Sequence, residues 1–181
     1  VSFTDADLIA RVLSREDQHA FGELVRRYQS PVRAFLARML HDSATADDLA
    51  QQTFLKVWQK LHTFRNGARF STWLFAIAFN EFRSDRRRKK ELLVEDTDMV
   101  ETEEPTMEPN TSLRMDLNEA LKSLNSTERA AIVLCCQNGL SHEEAAQVLD
   151  CPLGTVKTHI LRGKEKLKRR LALAYENYEP A

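Results

Sequence analysis

The sequence is poor in the residues that make turns: its 181 positions hold only five Gly and five Pro. A turn-rich all-β architecture is therefore excluded, and no stretch alternates apolar and polar residues between turn dipeptides as a half-buried strand does. No run of 18 apolar residues occurs, so no transmembrane helix is expected. The first 20 residues contain Asp5, Asp7, Glu16 and Asp17 and lack an apolar core, so no secretory signal peptide is expected either. There are three cysteines, Cys135, Cys136 and Cys151. Two of them are adjacent and the number is odd, which fits reduced thiols in a cytoplasmic protein better than a disulfide framework. A Gly-rich phosphate loop, a nucleophile elbow and a carboxylate constellation are also missing, so an enzyme is not indicated.

What the chain does have is charge sorted into blocks. The net charge is −1, yet residues 1–90 hold 16 Lys and Arg against 10 Asp and Glu. Residues 91–112 hold eight acids and no base, and residues 113–181 hold 10 bases and nine acids. Opposite blocks in a short chain suggest a nucleic-acid binder with an acidic tether. The segment 91–112 has two Pro and no helical period, so it reads as a disordered or extended linker. The expected fold is all-α. Two small helical domains, 1–90 and 113–181, are joined by a flexible acidic linker, and the second is a four-helix domain with a helix-turn-helix.

Four helices are expected before the linker, at about Asp5–Leu13, Gln18–Leu40 with a kink at Pro31, Thr45–His62, and a fourth running from Ser71 as N-cap to Lys90. Thr45 and Asp48 suggest a carboxylate capping box. After the linker come Leu113–Leu124, Thr127–Asn138, His142–Leu149 and Gly154–Tyr175. Gly139 suits a C-cap, and Ser141 with Glu144 a capping box.

The last two helices, joined at Asp150–Leu153, suggest a helix-turn-helix. On the final helix Val156, Ile160, Gly163, Leu167 and Leu171 share an inward face. Lys157, Thr158, Leu161, Arg162, Lys164 and Lys168 lie elsewhere, in a stretch (157–170) with seven bases and one acid. An exposed Leu161 among them suits a thymine methyl, with Arg162 or Lys157 reaching guanine or phosphate. Lys166, Lys168, Arg169 and Arg170 suit backbone phosphates.

Residues 64–82 hold six of the fourteen aromatics, and RSDRRRKK follows at once. Leu74, Phe75, Ala78, Phe79 and Phe82 form a core stripe, while Trp73, Ala76, Asn80, Arg83, Ser84 and Arg87 share the other side. A tryptophan, an amide and two arginines on one outward face suit stacking on unpaired bases and phosphate neutralisation. The preceding loop, Phe64–Phe70, adds Arg65, Asn66 and Arg69 around Gly67, a setting able to hold a base pulled out of the stack. On the third helix Leu49, Ala50, Phe54, Val57 and Leu61 point inward. Asp48, Gln51, Leu55, Trp58 and Gln59 face out, as a protein-binding surface does.

Three segments in order, ADDLAQQTFLKVWQKLHTF, FSTWLFAIAFNEFRSDRRRKK and GLSHEEAAQVLDCPLGTVKTHILRGKEKLKRRL, resemble an extracytoplasmic-function (ECF) sigma factor of bacterial RNA polymerase. The resemblance covers about 20–90 and 113–172. It implies that Asp48, Gln51, Gln52, Leu55 and Trp58 dock on the polymerase clamp. It implies that Arg65, Asn66, Arg69, Phe70, Trp73, Asn80, Arg83 and Arg87 melt and read the −10 promoter element. Lys157, Thr158, Leu161, Arg162, Lys164 and Lys168 would meet the −35 element, and the linker would thread towards the RNA path of the polymerase. The implied partners are core RNA polymerase, promoter DNA and an anti-sigma factor, often membrane-bound, with no small-molecule substrate, cofactor, metal or added carboxyl-terminal regulatory domain.

The residues allow two other readings. One is a dimeric helix-turn-helix regulator, which needs a receiver or ligand domain that 1–90 does not resemble. The other is a metal or thiol sensor built on Cys135, Cys136, Cys151, His142 and His159. Adjacent cysteines on a helix point about 100° apart and suit a zinc site poorly, so Cys135 and Cys136 are expected as small core residues.

Overall fold

The computed structural model describes residues 3–40, 42–65, 67–94 and 113–176, and among them every regular element is helical. The chain divides into two compact units at residues 86 and 87.

In the first unit, α1 (Asp5–Arg15) opens on Thr4, whose hydroxyl accepts from the Asp7 N–H while the Asp7 carboxylate accepts from the Thr4 N–H. This reciprocal cap satisfies two donors left over at the helix start. Asp17 accepts from Ala20 N–H at 3.0 Å as α2 (Gln18–Leu40) begins, and its other oxygen pairs with Arg11 at 2.7 Å. α2 runs on through Pro31. A proline inside a helix costs about 3 kcal/mol or more, and the burial of Leu24 before it and of Val32, Phe35 and Leu36 after it offsets that cost.

α3 (Ser43–Lys60) is capped by Asp42, which accepts from Ala44 and Thr45 N–H and from the Thr45 hydroxyl. The expected Thr45–Asp48 box is thus corrected. Asp42 stands three residues ahead of Thr45 and starts the helix there, so Thr45 lies inside the first turn and Asp48 is exposed farther along the helix. A 3-10 turn (Leu61–Thr63) follows, and α4 spans Phe70–Val94. Ser71 lies inside α4 instead of capping it. Phe70 is buried against Tyr28 and Phe64, with ring centroids 5.3 and 5.7 Å away, and that packing draws the helix start forward. Glu91–Val94 are helical too, so the first four residues of the expected linker belong to α4; residues 95–112 lie outside the described residues. The core of this unit is Leu8, Ile9 and Val12 of α1, the buried face of α2, Leu49 and Val57 of α3, and Leu74, Phe75, Ala78, Phe79 and Phe82 of α4. Phe35 meets Phe75 edge to face at 5.5 Å. Burying each such ring contributes roughly 1.5–3 kcal/mol.

The second unit holds α5 (Leu113–Lys122), α6 (Ser126–Ile132), a π-helical turn (Val133–Gln137), α7 (His142–Leu149) and α8 (Leu153–Glu176). Asn125 and Glu128 cap α6 reciprocally, as Ser141 and Glu144 cap α7. Gly139 has φ of +66°, the left-handed conformation that ends a helix without steric cost. Cys136 is exposed and Cys135 half-buried, which corrects the expectation that both are core residues. The π turn places one extra residue per turn and so rotates the helix faces after Leu134, carrying Cys136 outward.

Leu121, Leu124 and Ile132 form a core cluster with Leu167 of α8. Gly163 lets α8 approach α6: a Cβ there would lie 2.5 Å from Ile132 Cδ1 and 3.4 Å from its Cγ1. Gly163→Ala is expected to be nearly neutral. The Ile132 methyl can swing away, and the gain in helix propensity, up to about 1 kcal/mol, offsets the crowding. Gly163→Leu is expected to destabilise the unit by about 1–3 kcal/mol. Thermal unfolding of the two variants checks the contrast.

Candidate nucleic-acid interface

Three exposed surfaces collect the residues singled out in the sequence. The first is the outer face of α3, where Asp48, Gln51, Gln52, Leu55, Trp58 and Gln59 are exposed. Leu55 is 63% exposed, a high value for a leucine on a helix whose opposite face (Leu49, Ala50, Val57) is buried. Trp58 is 38% exposed and lies edge-on to Phe21 of α2 at 4.8 Å, so its ring is anchored on one side and open on the other. The helix is tied to α4 by the Lys56–Glu81 ion pair, and the buried Thr53 hydroxyl is satisfied within α3 by donating to the Leu49 carbonyl at 2.7 Å. Fixed apolar groups rimmed by amides and one carboxylate suit a protein partner.

The second surface is the loop before α4 and one face of α4 itself. Arg65 and Arg69 are exposed; Asn66 lies outside the described residues. Phe64 and Phe70 bracket the loop and meet each other edge to face at 5.7 Å, so the aromatic pair closes it at its base. Phe70 is 5% exposed, which corrects its expected place on a DNA-facing surface: its ring fills the space under the loop. Trp73 is half-buried, resting on Phe64 at 5.4 Å and Phe70 at 6.0 Å. Farther along the same face, Asn80, Arg83 and Arg87 are exposed, while Leu74, Phe75, Ala78, Phe79 and Phe82 are buried on the other. Arg87 approaches Glu91 at 3.8 Å, both largely solvated. The result is a supported indole, an exposed amide and a row of guanidinium groups along one helix face. Stacking, base-edge hydrogen bonding and phosphate neutralisation need that set.

The third surface is the α7–α8 pair. Buried Ala145, Val148 and Leu149 of α7 pack with Val156 and Ile160 of α8. The turn between them is made by Asp150 in the left-handed conformation (φ 51°, ψ 52°), with Cys151 N–H donating to the Ala146 carbonyl at 3.1 Å. The Pro152 carbonyl accepts from Thr155 and Val156 N–H and starts α8. Lys157, Thr158, Arg162, Lys164 and Lys168 are exposed, and Leu161 is 61% exposed among them. The Thr158 hydroxyl donates to the Gly154 carbonyl at 2.9 Å. Lys166 leaves the group expected on phosphates. Its ammonium lies 2.8 Å from the buried Glu128 carboxylate, where it neutralises a charge that has lost its water.

Sequence reasoning missed Glu128 and Arg129, both buried, and the contact of Asp5 with Tyr28, because these depend on partners 23 to 38 residues away or on a helix end turned inward. Burial pushes the Cys135 thiol up to about 11, so it stays protonated at neutral pH. Among the described residues no group of three or more His, Cys, Asp or Glu is placed to hold a metal ion, and no helix is long and apolar enough to cross a membrane.

The model of Sigma-70 region 2 matches residues 24–91, and that of Sigma-70, region 4, matches residues 114–167. The RNA polymerase sigma-H factor of Pseudomonas aeruginosa is 32% identical over 92% of this chain and 93% of its own length. The ECF RNA polymerase sigma-E factor of Escherichia coli K12 is 34% identical over 93% of this chain and 94% of its own. Among solved structures, the sigma factor RpoE in complex with the anti-sigma factor NepR from Bartonella quintana is similar with a TM-score of 0.71 and 32% identity, covering 84% of this chain and 96% of that one. CnrH in complex with the cytosolic domain of CnrY gives a TM-score of 0.70 at 29% identity, covering 93% and 97%.

Proposed function

This chain belongs to the extracytoplasmic-function sigma factors of the sigma-70 family, transcription initiation factors of bacterial RNA polymerase, and from that premise we propose how its surfaces share the work. Residues 1–94, to the end of α4 at Val94, bind the polymerase clamp and open the −10 element, 95–112 form the tether, and 113–181 read the −35 element. Asp48, Gln51, Gln52, Leu55 and Trp58 make the clamp contact. Arg65, Asn66, Arg69, Trp73, Asn80, Arg83 and Arg87 hold the melted −10 strand, with Phe70 beneath them as a support. Lys157, Thr158, Leu161, Arg162, Lys164 and Lys168 meet the −35 duplex. The chain performs no chemistry of its own: the polymerase is the catalyst, and this protein supplies promoter choice and strand opening in the cytoplasm. It takes no cofactor, metal or small-molecule substrate.

The observation that supports this reading best is the face of α4, where Trp73, Asn80, Arg83 and Arg87 follow directly on a loop closed at its base by Phe64 and Phe70. Pulling a base out of the stack costs a few kcal/mol, and stacking with phosphate contacts offsets that cost. The tether then lets two modest sites act as one by raising the effective concentration of the second once the first is engaged. An anti-sigma factor, membrane-associated, holds the chain inactive by covering the apolar groups of α3; one of the similar structures is of a sigma factor with the anti-sigma factor NepR, and another is of CnrH with the cytosolic domain of CnrY.

Run-off transcription tests the whole reading. Core polymerase with and without this protein is given a library of promoter fragments, and transcripts that need the protein are expected. Silence, with core that another sigma factor activates, overturns it. On the promoters so found, Arg162→Ala is expected to weaken −35 binding by about 1–3 kcal/mol and to relax preference at one base pair. Lys157→Ala is expected to weaken all sequences alike and to lower the salt slope by about 1. Binding titrations at several salt concentrations separate the two.

A further inference from the structure

The loop before α4 is held from below by a chain of contacts that begins far away in the sequence. Asp5, in the first turn of α1, receives the Tyr28 hydroxyl on one carboxylate oxygen and Arg27 Nη1 on the other at 2.9 Å. Arg27 Nη2 also donates to the Phe3 carbonyl at 2.7 Å, and Arg27 Nε pairs with Glu23 at 3.2 Å, so the carboxylate is tied to α2 at two points. The Tyr28 ring lies edge-on to Phe70 at 5.3 Å. Phe70 in turn meets Phe64 at 5.7 Å and Trp73 at 6.0 Å, and Phe64 meets Trp73 at 5.4 Å. Both ends of the loop and its indole therefore rest on one aromatic cluster, and Tyr28 fixes where that cluster sits. Burial first, and then the Asp5 carboxylate, hold the Tyr28 hydroxyl well above the ordinary phenol range; it stays a proton donor at any working pH.

We propose that Tyr28 and Asp5 are positioning residues for −10 strand opening: through Phe70 and Phe64 they set the place of Arg65, Arg69 and Trp73, without belonging to the surface assigned to DNA. This rests on the assignment of that surface to the −10 element. An aromatic ring whose hydroxyl is pinned by a carboxylate cannot slide, so the rings stacked on it keep one register. A captured base meets the loop in that register, and a shift of about 1 Å loosens both hold and selectivity.

The test uses the full chain assembled with core polymerase. Tyr28→Phe keeps the ring and removes the hydroxyl, Tyr28→Leu removes both, and Asp5→Asn weakens the carboxylate anchor. Three readouts are taken: affinity for core, the rate of promoter opening by permanganate reactivity of unpaired thymines, and the ratio of opening rates on the preferred −10 sequence and on single-base variants. Tyr28→Leu is expected to slow opening about tenfold and to flatten the base preference several-fold. Tyr28→Phe and Asp5→Asn are expected to fall about threefold, and all three to bind core within about twofold of the parent. Parent-like opening and selectivity in Tyr28→Leu overturns the proposal, as does a loss of core affinity that matches the loss of opening, because the defect is then one of general folding. A parent holoenzyme that opens no promoter fails at the earlier step and removes the surface assignment together with the proposal.

Discussion

Replacing Arg129 with methionine is expected to destabilise the carboxyl-terminal unit by about 3 kcal/mol, the cost of taking the guanidinium donor away from the carbonyls at the end of α5. Arg129 is 6% exposed, and its guanidinium donates to the carbonyls of Leu121 at 2.9 Å, Lys122 at 3.3 Å and Leu124 at 2.9 Å. A helix leaves its last four carbonyls unpaired, and the usual remedy is a left-handed glycine just beyond the end. α5 has none: Ser123, Leu124 and Asn125 follow it. Backbone N–H groups of Ser123 and Leu124 reach the Ala120 and Leu121 carbonyls at 3.2 Å. The Arg129 side chain from α6 adds a second donor to Leu121 and serves Lys122 and Leu124, its positive charge meeting the negative end of the helix dipole. Methionine conserves much of the volume, so the measured loss reports the hydrogen bonds and not a cavity. For a unit of this size that corresponds to a fall in melting temperature on the order of 10–20 °C. Arg129→Lys keeps the charge but cannot span three carbonyls from one ammonium, and is expected to recover only part of the loss. Circular dichroism melts of the full chain check both variants. An unshifted transition in Arg129→Met shows that the carbonyls are satisfied in another way.

The second large effect is expected at Asn80, where alanine should slow promoter opening about tenfold with little change in fold or core binding. Asn80 is exposed on α4 between buried Phe79 and Glu81, so its removal touches no packed group. Its amide presents a donor and an acceptor together, which suits the edge of an unpaired base. Losing one or two such bonds costs roughly 1–1.5 kcal/mol, which is a factor of about ten in rate if the bonds form in the step that opens the strand. Trp73 is a poorer probe, because its ring supports Phe64 and Phe70 and its loss disturbs the loop as well. A promoter already unpaired through the −10 element should reduce the Asn80→Ala defect, since less opening then depends on capture. Unchanged opening kinetics on duplex promoter would place base capture elsewhere.

Much of this molecule was written in local pattern. Helix ends that depend on neighbours three or four residues apart came out directly, as at α7, where Ser141 and Glu144 cap a helix of the expected span. The inward stripe of α4, from Leu74 to Phe82, and the inward face of α8, with Val156, Ile160 and Gly163, followed from 3.6-residue periodicity, because a regular helix fixes the direction of every side chain. The same periodicity turned Leu55, Leu161 and Asn80 outward, and the blocks of charge pointed to nucleic acid before any fold was known.

Only the tertiary structure decided what those side chains meet. Thr45 has a capping sequence, but Asp42 starts the helix three residues earlier and places Thr45 inside it. Lys166 looks like any basic residue of α8 until Glu128 is found buried opposite it, and Cys136 looks apolar until the π turn rotates it out. Phe70 reads as part of an exposed loop, yet Tyr28, 42 positions earlier, holds it inside. Periodicity gives a side chain its direction from its own helix. Its partner is set by how helices distant in sequence pack, and by which buried charge must be neutralised when they do.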